Sequence, residues 1–173
     1  MKTQYNQLLF VVVLLLAANG CGQSGPVDYV LGKKVRESFK ARVANVIDGD
    51  SLVVVNEHNT ETQMILEGID APEPKQEDGT EATKELQDWV LNRELDVFIT
   101  GKDNYGRKIG VLMDGSANIN LLMVDAGFAW HLSKYSTSAD LAKAEQAARK
   151  EKRGLWSTKN LPEAPWDFRL RMK

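Results

Sequence analysis

Apolar and polar positions alternate along five short stretches of this chain, and alternation of that period predicts strands. From Phe39 to Ile47, the residues Ala41, Val43, Asn45 and Ile47 fall on one face and Arg42, Ala44 and Val46 on the other. Asp48-Gly49 then reads as a hairpin turn. The β-branched run Ser51 to Asn56 predicts a second strand, and Thr62 to Ile69 a third after a turn at Glu57-His58-Asn59-Thr60. Leu95, Val97 and Ile99 mark a fourth, and Lys108 to Met113 a fifth, with a polar turn over Lys102 to Arg107 between them.

Three stretches carry helical spacing instead. Thr80 is placed to cap a helix in which Ala82, Leu86, Trp89 and Val90 recur on one face, closed by Asn92. Asn118 caps a short helix through Leu121, Leu122 and Val124, with Gly127 as its stop. Ser138 caps an alanine-rich helix to about Arg153, followed by Gly154. Leu155-Trp156 and Trp166 to Phe168 are expected to pack back as apolar pegs. Five strands and three helices in this order predict an α+β, mainly β, fold built on a small barrel. Periodicity leaves the strand order and the closure of that barrel open.

The 173 residues suffice for one domain with a core. The first twenty belong to something else. Lys2 precedes an apolar run from Leu8 to Ala18 and then Asn19-Gly20-Cys21, the layout of a secretory signal. The run is short for a membrane-spanning helix. Cys21 is the single cysteine, so an internal disulfide is excluded. Its place resembles the acceptor cysteine of bacterial lipoproteins, after Ala18-Asn19-Gly20. The expectation is a signal peptide over 1–20, a lipidated tether over 21–37 and a folded domain over 38–173, exported and anchored to a membrane through lipid on Cys21, facing the periplasm or the cell surface. Cleavage of the signal without lipidation is the alternative.

Without residues 1–20 the chain keeps 21 Lys/Arg against 24 Asp/Glu, a net charge of −3. That balance does not advertise non-specific duplex binding. The distribution is uneven: residues 141–173 carry nine Lys/Arg and four Asp/Glu. This basic tail reads either as a solvated helix face or as a surface that attracts phosphate.

Candidate chemistry gathers at strand ends. Pro72 in Ile69-Asp70-Ala71-Pro72-Glu73 removes a ladder donor and so ends the third strand, leaving Asp70 and Glu73 where that strand emerges into a loop. Asp48-Gly49-Asp50-Ser51 and Asp103-Asn104-Tyr105-Gly106-Arg107 lie at two further turns. Each alone reads as an ordinary turn. Together they describe a phosphodiester site. Asp50 and Asp70 can offer oxygens to a hard divalent cation such as Ca²⁺, with the Ala71 carbonyl as a further ligand. Glu73 can deprotonate a water. Arg107 can pair with a phosphate in fork geometry.

Five segments carry a resemblance: Val46 to Ser51, Gly68 to Glu73, Asp103 to Arg107, Ala126-Gly127-Phe128-Ala129-Trp130, and Arg153-Gly154-Leu155-Trp156. In that order and spacing the chain resembles the staphylococcal nuclease-like (thermonuclease) family from about Phe39 to Arg169. The resemblance implies an OB-fold five-stranded β-barrel with three helices. It also implies a Ca²⁺-dependent nuclease acting on DNA and RNA and cleaving the bond to the 5′ oxygen. By position, Asp50, Asp70 and the Ala71 carbonyl take the calcium ligands, Glu73 the general base, and Arg107 one of two phosphate-binding arginines; Tyr105 takes a place beside the substrate. One departure stands out. The position of the family's other arginine, five residues before the loop aspartate, is Ile65 here. Gln63 is neutral, and Arg42 is a substitute that sequence alone does not place. An arginine in that role is worth roughly 10³–10⁵ in rate. A second departure is Leu132, near where relatives carry an aromatic able to stack on a base. The alternative function is therefore a catalytically impaired module that binds nucleic acid or a protein, and a third is a structural lipoprotein. Nothing in the chain points to a particular protein partner.

Overall fold

A computed structural model describes residues 28–158 and 161–173 of the chain. The expected signal peptide and the lipid-acceptor Cys21 lie outside the described residues. The elements run β1 (Tyr29–Val30), β2 (Lys33–Lys34), β3 (Glu37–Val46), β4 (Ser51–Asn56), β5 (Glu61–Leu66), β6 (Ile69–Asp70), α1 (Gly79–Val90), β7 (Glu94–Lys102), β8 (Lys108–Asp114), β9 (Ala117–Asn118), α2 (Ile119–Asp125), β10 (Trp130–His131), α3 (Ala139–Glu151), a 3₁₀ turn (Gly154–Ser157) and α4 (Pro165–Arg171).

Five strands close on themselves. Hydrogen bonding runs β5-β4-β3-β7-β8, and β5 returns to pair with β8, Met64 opposite Lys108, Ile65 opposite Ile109 and Leu66 opposite Gly110. That last pairing is parallel and the others in the barrel are antiparallel, so the sheet is mixed and has no free edge at the closure. The result is the OB-type barrel of an α+β fold. Its interior is filled by Val43, Leu52, Val54, Met64, Leu66, Val97, Ile99 and Leu112, with Leu86 and Val90 of α1 and Met123 of α2 packed against it. Asn120 locks α2 to the barrel: buried outright, it accepts from Leu112 N and donates to the carbonyls of Glu67 and Gly110.

The structure corrects several sequence expectations. Asn45 and Ile47 do not share the buried face of Ala41 and Val43. A bulge between Val43 and Asn45 shifts the register against β4, exposes Ile47 and turns Val46 toward the core. The third strand is two: β5 stops at Leu66, Gly68 takes φ +77°, and β6 leaves the barrel to pair with β10. The first helix starts at Gly79, preceded by Asp78 in the left-handed conformation, so Thr80 lies within the first turn and caps nothing. Asn118 and Ser138 do cap, accepting from Leu121 N and Leu141 N. Residues 28–37, expected in the tether, form the β1–β2 hairpin and lead straight into β3; Arg36 Nε donates to the Thr100 carbonyl and Leu31 packs on the core.

The fourth helix was not expected. Trp166 to Phe168 lie within α4, which starts on a buried Pro165 at its first turn. It rests on a second apolar cluster of Trp130, Ala148, Leu155 and Trp156. Trp130 touches Trp156 edge to face at 5.2 Å between centroids and Trp166 at 6.5 Å.

Candidate active site

The turn between β3 and β4 is built from its own side chains. Asp50 N donates to Asp48 Oδ1 at 3.1 Å, and Ile47 N and Asp48 N both bond the Ser51 carbonyl. Gly49 is required by proximity: a Cβ there would stand 2.7 Å from that of Ala71 and 2.9 Å from that of Ala82. The turn therefore lies flat against the Ala71 segment and the start of α1. Asp50 Oδ2 accepts from Ala71 N at 2.8 Å, which puts its carboxylate beside the Asp70–Ala71 peptide.

Asp70 ends β6 opposite Trp130 and is only 5% exposed. The loop beyond Pro72 turns on Gln76, whose N donates to the Glu73 carbonyl and whose Oε1 accepts from Glu73 N. Gly79 meets the same carbonyl from the other side; a Cβ there would fall 1.9 Å from the Glu73 oxygen. The first residue of α1 thus packs directly on the Glu73 backbone. Buried Gln76 also donates through Nε2 to the Glu163 carbonyl, joining the loop to the segment that leads into α4.

That connection brings in Arg169. Its guanidinium donates to both oxygens of Asp70, at 3.0 and 2.7 Å, and to Glu73 Oε1 at 2.8 Å. The electrostatics show why a cation is needed. Burial first, then the charges of Asp48 and Asp70, push the Asp50 carboxyl well above the ordinary carboxylate range. Burial also raises Asp70, against the opposing hydrogen bond and charge of Arg169, with Glu73 and Asp48 adding repulsion. The hydrogen bond to Asp70 in turn holds the Arg169 proton more firmly than in water. Four acids gather here, and Arg169 is the one cation bonded to any of them among the described residues.

Asp50, Asp70 and Glu73 therefore lie close together. Arg107 is not bonded to them. It precedes β8, donates through Nε to Asp103 Oδ2 at 2.7 Å and through its backbone N to Asp103 Oδ1 at 2.9 Å. Desolvation pushes the Asp103 carboxyl up, but these bonds and that from Tyr105 N outweigh it and hold the group below its ordinary range. Tyr105 is 88% exposed, 5.8 Å from the Arg107 guanidinium. Ile65 faces away from the core, in register with Ser51 and Ile109, and no charge replaces it in those partner positions. Arg42 sits mid-strand opposite Val55 and Glu94. His131 is buried and its Nε2 bonds the Ser136 carbonyl, a structural role; His58 is exposed beside Glu57.

The arginines of the basic tail are largely spoken for. Arg149 pairs with Glu145 and stacks on Trp156, Arg153 bridges Asp125 and Glu151, and Arg171 grips Glu163. Arg169 had no signal in periodicity or motif. Its one sequence hint is the cluster of cations after residue 140, and its meaning depends on where α4 docks.

As donors for a cation, Asp50 and Asp70 offer hard carboxylate oxygens beside the Asp70–Ala71 peptide. The test of fit is the charge balance among them: burial raises both carboxyls, Asp50 is bonded to no cation among the described residues, and Asp70 shares its one guanidinium with Glu73. Among the described residues no group of three or more His, Cys, Asp or Glu side chains forms a cage by itself, so a cation here would complete its shell with water or substrate oxygens.

Comparison with known proteins agrees with the architecture. Residues 63–158 match the family model of the staphylococcal nuclease homologues. The chain is 37% identical over 131 residues to a protein of Escherichia coli named an uncharacterized endonuclease, covering 75% of this chain and 84% of that one. It is 35% identical over 144 residues to a Haemophilus influenzae protein of the same name, covering 83% and 80%. It is 35% identical over 146 residues to a Shigella flexneri protein named micrococcal nuclease, covering 78% and 83%. The barrel, the acid cluster at its rim and these matches together make the chain a member of the staphylococcal nuclease homologue family.

Proposed function

We propose that this protein is a calcium-dependent nuclease that hydrolyses phosphodiester bonds of DNA or RNA. The observation that carries the reading is the convergence of Asp50, from the turn between β3 and β4, with Asp70 and Glu73, from the end of β6 and the loop after it, onto one rim of the barrel. Asp50, Asp70 and the Ala71 carbonyl would hold the ion, which when bound supplies charge stabilisation at a phosphoryl oxygen. Glu73, kept in place by Gln76 and Gly79, takes a proton from the attacking water. Arg107 exchanges Asp103 for a phosphate oxygen, a change its half-exposed side chain permits. Tyr105, exposed at the same turn, lies against the substrate. The leaving group is the 5′ oxygen.

A second reading, binding without cleavage, draws on the pairing of Arg107 with Asp103 and on Ile65. Purified protein incubated with single-stranded DNA in Ca²⁺ or in EDTA separates the two. Calcium-dependent cleavage supports the nuclease; binding with no cleavage under either condition rejects it. We also propose that the protein is exported and anchored through lipid on Cys21, from the signal-like segment before it.

A further inference from the structure

We propose that Arg169 is a phosphate-binding residue of this site, parked on Asp70 and Glu73 until a divalent cation and a substrate phosphate arrive and exchange partners with it. The inference rests on the nuclease reading above. Its first support is position. The guanidinium spans Asp70, a proposed cation ligand, and Glu73, the proposed base. A phosphate that is to be attacked by a water on Glu73, next to a cation on Asp70, must enter that same gap.

The second support is chemical. The planar fork that takes both oxygens of Asp70 takes two oxygens of a phosphate equally well. A cation cannot share the Asp70 oxygens with a guanidinium without strong repulsion, so its arrival displaces Arg169. The incoming phosphate offers the displaced group another anion at the same rim. Arg169 thus stays paired throughout, first with carboxylate and then with phosphate.

The third support is how the side chain is mounted. Arg169 is 45% exposed at its side chain and stands on a seven-residue helix. The helix is held by buried Pro165, by Trp166 on Trp130, and by the link from Gln76 to the Glu163 carbonyl; Arg171 grips Glu163 from within the same segment. None of these anchors involves the Arg169 guanidinium, so it can turn while α4 stays docked. The matched family segment ends at residue 158, before this helix begins.

The test uses the whole purified protein. In a Glu73→Gln background, to suppress cleavage, binding of a fluorescent single-stranded oligonucleotide in Ca²⁺ is compared with and without Arg169→Ala. At least a tenfold weakening is expected. Calcium alone, titrated by calorimetry, should bind the Arg169→Ala protein several-fold more tightly, because its competitor is gone. In the active background, single-turnover cleavage should slow by about 10²–10³, the usual effect of removing one donor to a developing charge. Oligonucleotide affinity unchanged by Arg169→Ala would overturn the proposal and leave Arg169 an internal counterion, whatever happens to cleavage. If the parent protein binds but does not cleave, the nuclease reading fails while the binding comparison still decides the role of Arg169. Should Arg169→Ala not fold, Arg169→Lys retains the charge without the fork: weaker oligonucleotide binding supports the proposal, and wild-type binding overturns it.

Discussion

Trp166 meets Trp130 edge to face, 6.5 Å between centroids at 73°, and Trp130 is the strand partner of Asp70. Three residues along the helix from Trp166 stands Arg169, on the same side of α4. The aromatic contact is therefore one of the anchors that set where the guanidinium lands. Trp166→Ala should cost about 0.5–1.5 kcal/mol for the ring pair beyond area burial. At this chain size that is a fall in Tm of about 2–4 °C per kcal/mol. A wild-type melting curve for that variant would mean α4 is not held by the indole.

Replacing Glu73 by Gln keeps an oxygen for Arg169 but removes the base. Calcium-dependent cleavage should fall by about 10²–10⁴, the span of general-base catalysis. Circular dichroism should be unchanged, since the bonds to Gln76 run through the Glu73 backbone and the amide oxygen can keep the bond to Arg169. Full activity in Glu73→Gln would remove the carboxylate from the mechanism.

Asp50 sets a pH dependence of stability. Its carboxyl is raised in the fold by burial, Asp48 and Asp70, so the native state holds this proton more tightly than the unfolded chain does. Stability is then complete below about pH 4, the unfolded value, and declines as pH rises through the folded value. Asp50→Asn keeps the acceptor for Ala71 N and removes the ionisation. Without added cation, it should raise Tm at pH 7 and leave it nearly unaltered near pH 3.5. The sign is the check: a lower Tm at pH 7 would show that the carboxylate stabilises the metal-free fold.

Gly79→Ala places a methyl 1.9 Å from the Glu73 carbonyl oxygen, with helix backbone on one side and a loop carbonyl on the other. Relief requires the loop to move, at about 1–3 kcal/mol of stability. Because that loop carries Glu73, cleavage should fall further than the loss of folded protein explains. Urea denaturation and single-turnover rates measured on the same preparation separate the two effects.

Cys21→Ser should move the protein from the membrane fraction to the soluble fraction of cells that export it, since acyl chains on this sulfur would supply the anchor. Retention in the membrane fraction would point to another means of attachment.

Much of the barrel was legible because its strands alternate. Ser51 to Asn56 appears with the same bounds, and the caps at Asn118 and Ser138 work as their short polar side chains suggest. The bulge at Asn45 was not legible, since an extra residue in one strand shows only against its partner. Gly68 hid the break between β5 and β6 for a similar reason: Thr62 to Ile69 reads as one strand, and the turn appears only once β6 finds β10. The acid cluster was visible residue by residue, while the packing of Gly49 on Ala71 that presses Asp50 against its neighbour was not.

Local chemistry alone identified which side chains could do work here: Asp50, Asp70 and Glu73 sit where turn residues and Pro72 end their strands, and such endings depend on a few neighbours along the chain. Which positive group answers them was settled only by folding. Arg107, adjacent in motif, is taken by Asp103 four residues before it, whereas Arg169 reaches Asp70 across 99 positions because α4 docks through buried Pro165 and the edge of Trp166 on Trp130. A carboxylate's need for charge can be read in a line of letters; the source of that charge depends on distances that exist only after the apolar surfaces have met.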